Sequence, residues 1–208
     1  GLFYGYKTDG IIPEGQQGPG FSLDKPLEEG QIKYCDINGD GFLSDLDKTI
    51  VGNPNPDFIY GLSTSFSWKG LSLSASIDGS YGNDIVNANL IQETKTVYNT
   101  SSYSNIRREA FTQAWTPENQ NTKYPRLNGM TVEELKLMTD RWVEDASYLR
   151  LSSVSLSYRL PVPKNKVIRD ITLGVSGRNL YVFSKYSGWD PEVSSYGNSM
   201  ERIGVDLG

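Results

Sequence analysis

Histidine is absent from these 208 residues. That absence removes Ser-His and Cys-His catalysis, and every histidine-ligated metal site, from within the chain. A single cysteine, Cys35, leaves no internal disulfide to form. Positive charge is not in surplus: 20 Lys and Arg stand against 25 Asp and Glu, a net charge of −5. The basic footprint of a nucleic-acid binder is therefore missing. Nor is there an apolar run of about 18 residues, the length needed for a membrane-spanning helix. Spanning strands stay open, because a β-strand crosses with only about 9–11 alternating residues. What the chain has in plenty is turn formers and rings, with 21 Gly, 10 Pro and 12% aromatic residues. That composition favours β architecture.

The densest chemistry lies between Asp36 and Asp47. Side-chain oxygens fall at loop positions one, three, five, nine and twelve: Asp36, Asn38, Asp40, Ser44 and Asp47. Gly41 is sixth, where the chain must turn sharply, and Phe42 is seventh, where a backbone carbonyl suffices. A hard cation wants about 6–8 oxygens from a tightly wrapped chain, so this spacing predicts a structural calcium site. Magnesium is the other cation such a set of oxygens admits. Asp at position twelve reaches less far than the usual Glu. The same residues also read as an Asx-rich turn without an ion, since Asn-Gly and Asp-Gly are ordinary turn pairs. Gly30–Tyr34 before the loop and Thr49–Gly52 after it read as extended. The site is thus an ion staple in a loop region rather than an EF-hand with its helices.

From Leu2 to Asp57 the chain is punctuated by Gly and Pro, with short extended pieces at Phe3–Tyr6 and Gln31–Tyr34. Strict alternation then begins. Phe58, Tyr60, Leu62, Thr64, Phe66 and Trp68 form one set, and after Lys69-Gly70 come Leu71, Leu73, Ala75, Ile77, Gly79 and Tyr81. The pattern predicts a hairpin with Trp68 opposite Leu71 and Phe58 opposite Tyr81, serines on the other face. Asn83 to Arg141 is a second long excursion. Ile106, Ala110, Ala114 and Trp115 predict an amphipathic helix over Ser104–Trp115. Trp115 to Arg126 reads as loop, and Thr131-Val-Glu-Glu134 as a capping box. A second hairpin follows. Val154, Leu156, Tyr158 and Leu160 face one way, then a turn at Pro161–Lys166, then Ile171, Leu173, Val175, Gly177, Asn179, Tyr181 and Phe183.

Two arrangements accommodate such strands: a soluble sandwich, or a transmembrane barrel with its apolar face in lipid and its serine face in the lumen. The turns are short at one end of the strands and tens of residues long at the other. Aromatic residues gather towards strand ends, and the opposite face is small and hydroxylic rather than rich in Lys and Glu. All three features favour the barrel.

Several stretches then carry a family likeness. Ile32–Gly41, Ile50–Phe58, Gly79–Ile85, Trp115–Asn119, Thr122–Arg126, Asp140–Asp145, Ser147–Leu151, Gly177–Leu180 and Tyr186–Glu192 together resemble the C-terminal part of SusC-like (SusC/RagA) TonB-dependent outer-membrane transporters. The likeness runs over essentially the whole chain. It implies a barrel of roughly 22 strands around a plugged lumen. It also implies energy from TonB through an N-terminal plug that this sequence lacks, and a SusD-like surface lipoprotein that helps import oligosaccharide or peptide cargo.

The resulting expectation is an all-β chain of antiparallel barrel strands, located in the outer membrane and divided into five parts. Residues 1–57 form an extracellular region with the calcium loop, 58–82 a barrel hairpin, and 83–144 a long extracellular loop with short helices. Residues 145–184 form a second barrel hairpin and 185–208 a further extracellular loop. The expected partners are the lipoprotein, TonB, cargo and membrane lipid, with no nucleic acid. The alternative is a secreted calcium-stapled β-sandwich that stacks sugars on Trp115, Trp142, Trp189 and the many tyrosines. No enzyme is expected: Glu144 and Asp145, or Asp190 and Glu192, read as loop hydrogen-bonding groups. Cys35 receives no role.

Overall fold

A computed structural model of the chain describes residues 1–94, 105–130, 134–161 and 170–192. The strands are β1 (Phe3–Tyr6), β2 (Thr8–Ile11), β3 (Ile32–Tyr34), β4 (Lys48–Gly52), β5 (Phe58–Trp68), β6 (Leu71–Tyr81), β7 (Asp84–Val86), β8 (Val143–Asp145), β9 (Tyr148–Leu160) and β10 (Ile171–Ser184). Among the described residues, two short α-helices, α1 (Ala88–Thr94) and α2 (Arg108–Thr112), lie between β7 and β8 in sequence. Contacts sort the chain into two compact units. One gathers Gly1–Pro54 with Ile85–Glu144, the other residues 55–84 with 145–192.

The second unit is a four-stranded antiparallel sheet in the order β10-β9-β6-β5. Its first hairpin has the register that alternation predicts, from Trp68↔Leu71 to Phe58↔Tyr81. Lys69 and Gly70 both take positive φ, 46° and 88°, which is what a two-residue hairpin turn with the right twist requires. Across β9, Leu71 meets Tyr158, Leu73 meets Leu156 and Ala75 meets Val154. One face is thus continuously apolar. On the other, hydroxyls pair across strands: Ser63 with Ser76 at 3.0 Å, Ser67 with Ser72 at 3.1 Å, and Ser74 with Ser155 at 2.8 Å. Such cross-strand pairs contribute about 0.2–1 kcal/mol each.

Simple alternation fails at one level of this sheet. The register slips between Ser76 and Ile77 against β9, so that Ser152 is left over. It slips again between Arg178 and Tyr181 against β10. Asn179, expected on the apolar face, takes φ of 50° at this bulge and has no register partner. An extra residue inverts the alternation beyond it. Leu151 and Leu149 therefore join Val154 and Leu156 on the apolar face, opposite Ile77 and Gly79, while Arg150 falls opposite Asp78 on the polar one. Without the bulge Arg150 would stand among the leucines.

The first unit has a core of its own. Tyr6, Ile12, Leu27, Ile32, Tyr34, Leu43, Met130 and Trp142 are buried together. Phe21 caps the two tyrosines, its ring edge-on at 5.8 Å from Tyr6 and 5.5 Å from Tyr34. β1 pairs with β4, and β2 with β3. The region that reads as irregular is therefore a small body of short strands, to which the second excursion supplies Met130 and the residue just after it supplies Trp142.

The helix expected over Ser104–Trp115 is shorter: only Arg108–Thr112 is helical among its described residues. Ala114 bridges to Tyr124, and Trp115 N–H donates to the Tyr124 carbonyl at 3.1 Å. Burying Ala114, Trp115 and Tyr124 against one another requires extended backbone there, which stops the helix. Residues 131–133 of the expected capping box, 162–169 of the second turn, and 193–208 of the tail lie outside the described residues.

Candidate functional site

The Asp36–Asp47 loop sits between β3 and β4, strands rather than helices, as its flanking sequence implies. Gly39 and Gly41 take φ of 76° and 92°, the sharp reversal that the sixth position needs. The ends of the loop are tied to the core by Tyr34 and by Leu43, whose N–H donates to the Gly20 carbonyl at 2.8 Å.

Five of the six expected ligands, all but the Phe42 carbonyl, accept hydrogen bonds from the loop's own amides. Asp36 accepts from Gly39 N–H at 2.7 Å and Gly41 N–H at 2.8 Å. Asn38 Oδ1 accepts from Asp40 N–H at 3.0 Å, and Asp40 Oδ1 from Phe42 N–H at 3.1 Å. Asp47 Oδ1 accepts from Ile37 and Asn38 N–H at 2.9 and 3.3 Å, and its Oδ2 from Ser44 N–H at 2.8 Å. Ser44 in turn accepts from Leu46 N–H at 3.2 Å. Positions nine and twelve are thus also a capping box around the single 3-10 turn Asp45–Asp47.

Asp47 is the keystone of this network. Its side chain is fully buried. Burial pushes its carboxyl up, but the amides of Ser44, Ile37 and Asn38 together with the Ser44 hydroxyl outweigh that, and the group sits below the ordinary carboxylate range. The donor set, all oxygen with three carboxylates, has the chemistry of a hard-cation site. Among the described residues, however, no group of three or more Asp, Glu, Cys or His side chains points at a common centre. An ion here would share carboxylate oxygens that already accept from the loop's amides, and would have to bring them onto one centre.

Beside the loop opens a cleft of about 530 Å³ bordered by Asp36, Gly41, Tyr34, Cys35 and the Asp9–Lys33 ion pair. Burial, with Asp9 and Asp140 nearby, pushes the Cys35 thiol up. It is therefore a poor nucleophile.

The second functional surface is the apolar face of the sheet. Leu62 is 64% exposed and Val175 69%, and Phe58, Phe66, Trp68, Leu73, Leu156, Tyr158 and Leu173 are exposed as well. Leu71, Ile77 and Val154 are half-buried beside them. Rings gather at both ends of this face. Phe58 stacks on Tyr81 at 5.3 Å, and Tyr181 meets Phe183 edge-on at 4.6 Å. Phe66, Trp68 and Tyr158 lie towards the opposite ends of their strands. Tyr60 to Trp68 spans about 27 Å along the strand. A tilt of about 40° projects that to about 21 Å, which fits within the ~25 Å apolar band of outer-membrane barrels.

Of the tryptophans nominated for sugar stacking, Trp115 is 6% and Trp142 2% exposed, so both are core and neither offers a ring face. Trp189 alone of the three is open, at 84%. Asp190 and Glu192 are hydrogen-bonding groups, as read, but their shared partner Arg150 was not anticipated. The signal for it was present: Leu149 and Leu151 are out of phase with Val154 and Leu156, and only a bulge reconciles them.

No protein-family model matches the chain. Curated proteins do. It is 31% identical over its full length to TonB-dependent receptor P3 of Formosa agariphila, of which it covers 20%. To TonB-dependent receptor SusC of Bacteroides thetaiotaomicron it is 28% identical over 82% of the chain and 16% of that protein. Among solved structures it matches the RagAB peptide transporter with a TM-score of 0.71 and 26% identity, over 95% of this chain and 20% of that one. The chain thus spans about a fifth of the length of the relatives it matches, and its long strands are antiparallel strands of such a transporter barrel.

Proposed function

Because the chain belongs to the SusC-like TonB-dependent receptors, we propose that it supplies one stretch of wall, with its outer loops, to a transporter that imports glycan or peptide oligomers through the outer membrane. The observation that carries this reading is the two-faced sheet. An exposed apolar face bounded by rings lies opposite rows of paired serine hydroxyls. A water-soluble sandwich would cover the first and wet the second. In a barrel wall the first faces lipid and the second a hydrated lumen. Nitroxide labels at Leu62 and Leu73 of the full receptor in vesicles should report hydrocarbon. A water-like signal at both positions would end the barrel reading.

The short Lys69-Gly70 turn marks the periplasmic end of the wall, and the two long excursions leave from the opposite, extracellular end. There the body formed by Gly1–Pro54 and Ile85–Glu144 meets cargo and a SusD-like lipoprotein, while TonB acts on parts of the receptor beyond this chain. A preformed body of this kind lowers the ordering cost of docking. Removing residues 119–128 would test this poorly, because Tyr124 and Pro125 are core. Exposed Leu46 and Phe111 serve better. Leu46→Asp with Phe111→Asp should lower lipoprotein co-purification and uptake while the barrel still assembles. Wild-type values for both would count against the assignment.

The Asp36–Asp47 loop binds calcium in this reading, through Asp36, Asn38, Asp40, Ser44, Asp47 and the Phe42 carbonyl. Its oxygen donors and buried Asp47 support that. Isothermal titration of calcium into the intact receptor should show a site that Asp40→Ala weakens. No calcium heat in the wild type would remove the ion and leave the hydrogen-bonded turn.

A further inference from the structure

Arg150 is the group that neither the strand ladder nor the loop body accounts for. It lies on the polar face of β9 only because of the Ser152 bulge, and just 8% of it is exposed. A guanidinium that deeply buried must be compensated. Its partners do not come from its own ladder, where Val182 and Asp78 are its neighbours and Asp78 accepts instead from the Ser152 hydroxyl. They come from the segment that follows β10. Arg150 Nη2 donates to both oxygens of Asp190, at 2.8 and 3.0 Å, and pairs with Glu192 at 3.0 Å. The guanidinium also lies 5.4 Å from the centre of the Tyr148 ring.

The segment is stiffened at both ends of this contact. Ser184 Oγ donates to the Ser147 carbonyl at 2.9 Å and accepts from Tyr186 N–H at 3.1 Å. Glu192 N–H donates back to Asp190 at 2.9 Å. Residues 185–192 thus form a strap whose far end, where Pro191 is buried, carries both carboxylates that pair with Arg150.

We propose that Arg150 anchors a clasp that fastens the strap 185–192 onto the polar face of β9, and that opening the clasp uncovers this part of the face. The clasp is built to open. Asp190 and Glu192 keep side-chain exposures of 41% and 60%, so water can take over their hydrogen bonds. They crowd one nitrogen, Nη2, while Arg150 Nε is buried without a hydrogen-bond partner, so the two-nitrogen fork that makes such pairs strongest is not formed. The geometry stands on residues 145–192 alone. Its bearing on a transport path rests on reading the polar face as lumen.

The test uses the full receptor in detergent, other cysteines replaced, with a nitroxide at Trp189→Cys on the strap. Arg150→Gln should raise the fast-motion fraction of the spectrum several-fold. Asp190→Asn with Glu192→Gln should do the same, and Arg150→Lys should restore part of the order. A label at Leu46→Cys, in the loop body, should not change. Retained heat-modifiability on gels certifies the barrel in each variant. If Arg150→Gln fails to fold, the double carboxylate variant decides, since both of its positions are partly exposed. Parent-like spectra in the folded double variant would overturn the clasp. The label reads the strap directly, so this outcome is distinct from failure of the lipid-contact test of the barrel.

Discussion

The two units of this chain solve the problem of apolar surface in opposite ways. The loop body folds its apolar residues inward: Ile32 and Tyr34 of a three-residue strand are buried with Tyr6, Leu43 and Trp142. The sheet keeps its apolar residues outside, with every residue of β5 exposed. A long strand carrying Leu62, Phe66 and Trp68 outward cannot be stabilised by burial within the chain. Its apolar face waits for a solvent that is itself apolar. The loop body needs no such help, although its strands are shorter and its sequence looks less regular. Length and periodicity of a strand therefore say little about where its stability comes from.

The contrast is tested most severely in the core of the loop body. Trp142→Ala should cost about 3–5 kcal/mol there. Hydrogen exchange in the full receptor should show protection lost across Gly1–Pro54 and Ile85–Glu144 but kept in β5, β6 and β9. Equal loss in both units would mean that they do not hold themselves independently.

On the sheet, Leu62→Arg should cost about 2–4 kcal/mol when the receptor is refolded into vesicles, whereas Ser74→Arg on the polar face should be tolerated. Were the Leu62 face exposed to water, Leu62→Arg would cost little. This pair of variants sharpens the comparison, because it asks which solvent each face meets.

Within the loop body a smaller effect separates the ion from the turn. Ser44→Ala removes the hydroxyl that caps Leu46 N–H and should cost about 1 kcal/mol. That loss should appear equally with and without a chelator if the capping box acts alone, and be larger in calcium if Ser44 also serves the ion. Differential scanning in the two buffers distinguishes these.

The smallest effect is that of acid on Asp47. Its folded carboxyl titrates below the unfolded value of about 3.9. Its contribution is therefore complete above about pH 4 and is lost as pH falls through the lower folded value. Pepsin should begin to cut within Asp36–Asp47 only in that acid window, while the sheet stays resistant. Cutting already at pH 5 would show that Asp47 is not the keystone.

Most of the sheet was legible in the sequence because a period of two has one physical meaning: two faces in two different media. The register of the first hairpin followed from matching Trp68 with Leu71. The loop body was less legible, since its core is assembled from residues far apart in the chain, Tyr6 with Met130 and Trp142. No local pattern announces such a core. The same is true of the helix that Ile106, Ala110 and Ala114 promised, which Trp115 and Tyr124 cut short for the sake of packing. At the ion loop the reading was ambiguous in kind: an oxygen at positions nine and twelve is both a ligand pattern and a capping box.

By itself the sequence determined the alternating strands, their polar and apolar faces, the hairpin register and the sharp turn at Gly41. Each depends on residues within a few positions of one another or on strict periodicity. The phase change between Leu151 and Val154 is in the sequence, but the tertiary structure decided that Ser152 is the residue skipped, so that Arg150 faces Asp78. It alone decided that Trp115 and Trp142 are core while Trp189 is open, and that Asp190 returns to β9. Those outcomes depend on which distant segment arrives at a given point, and a buried charge or ring is stable only against the partner that the whole fold delivers there.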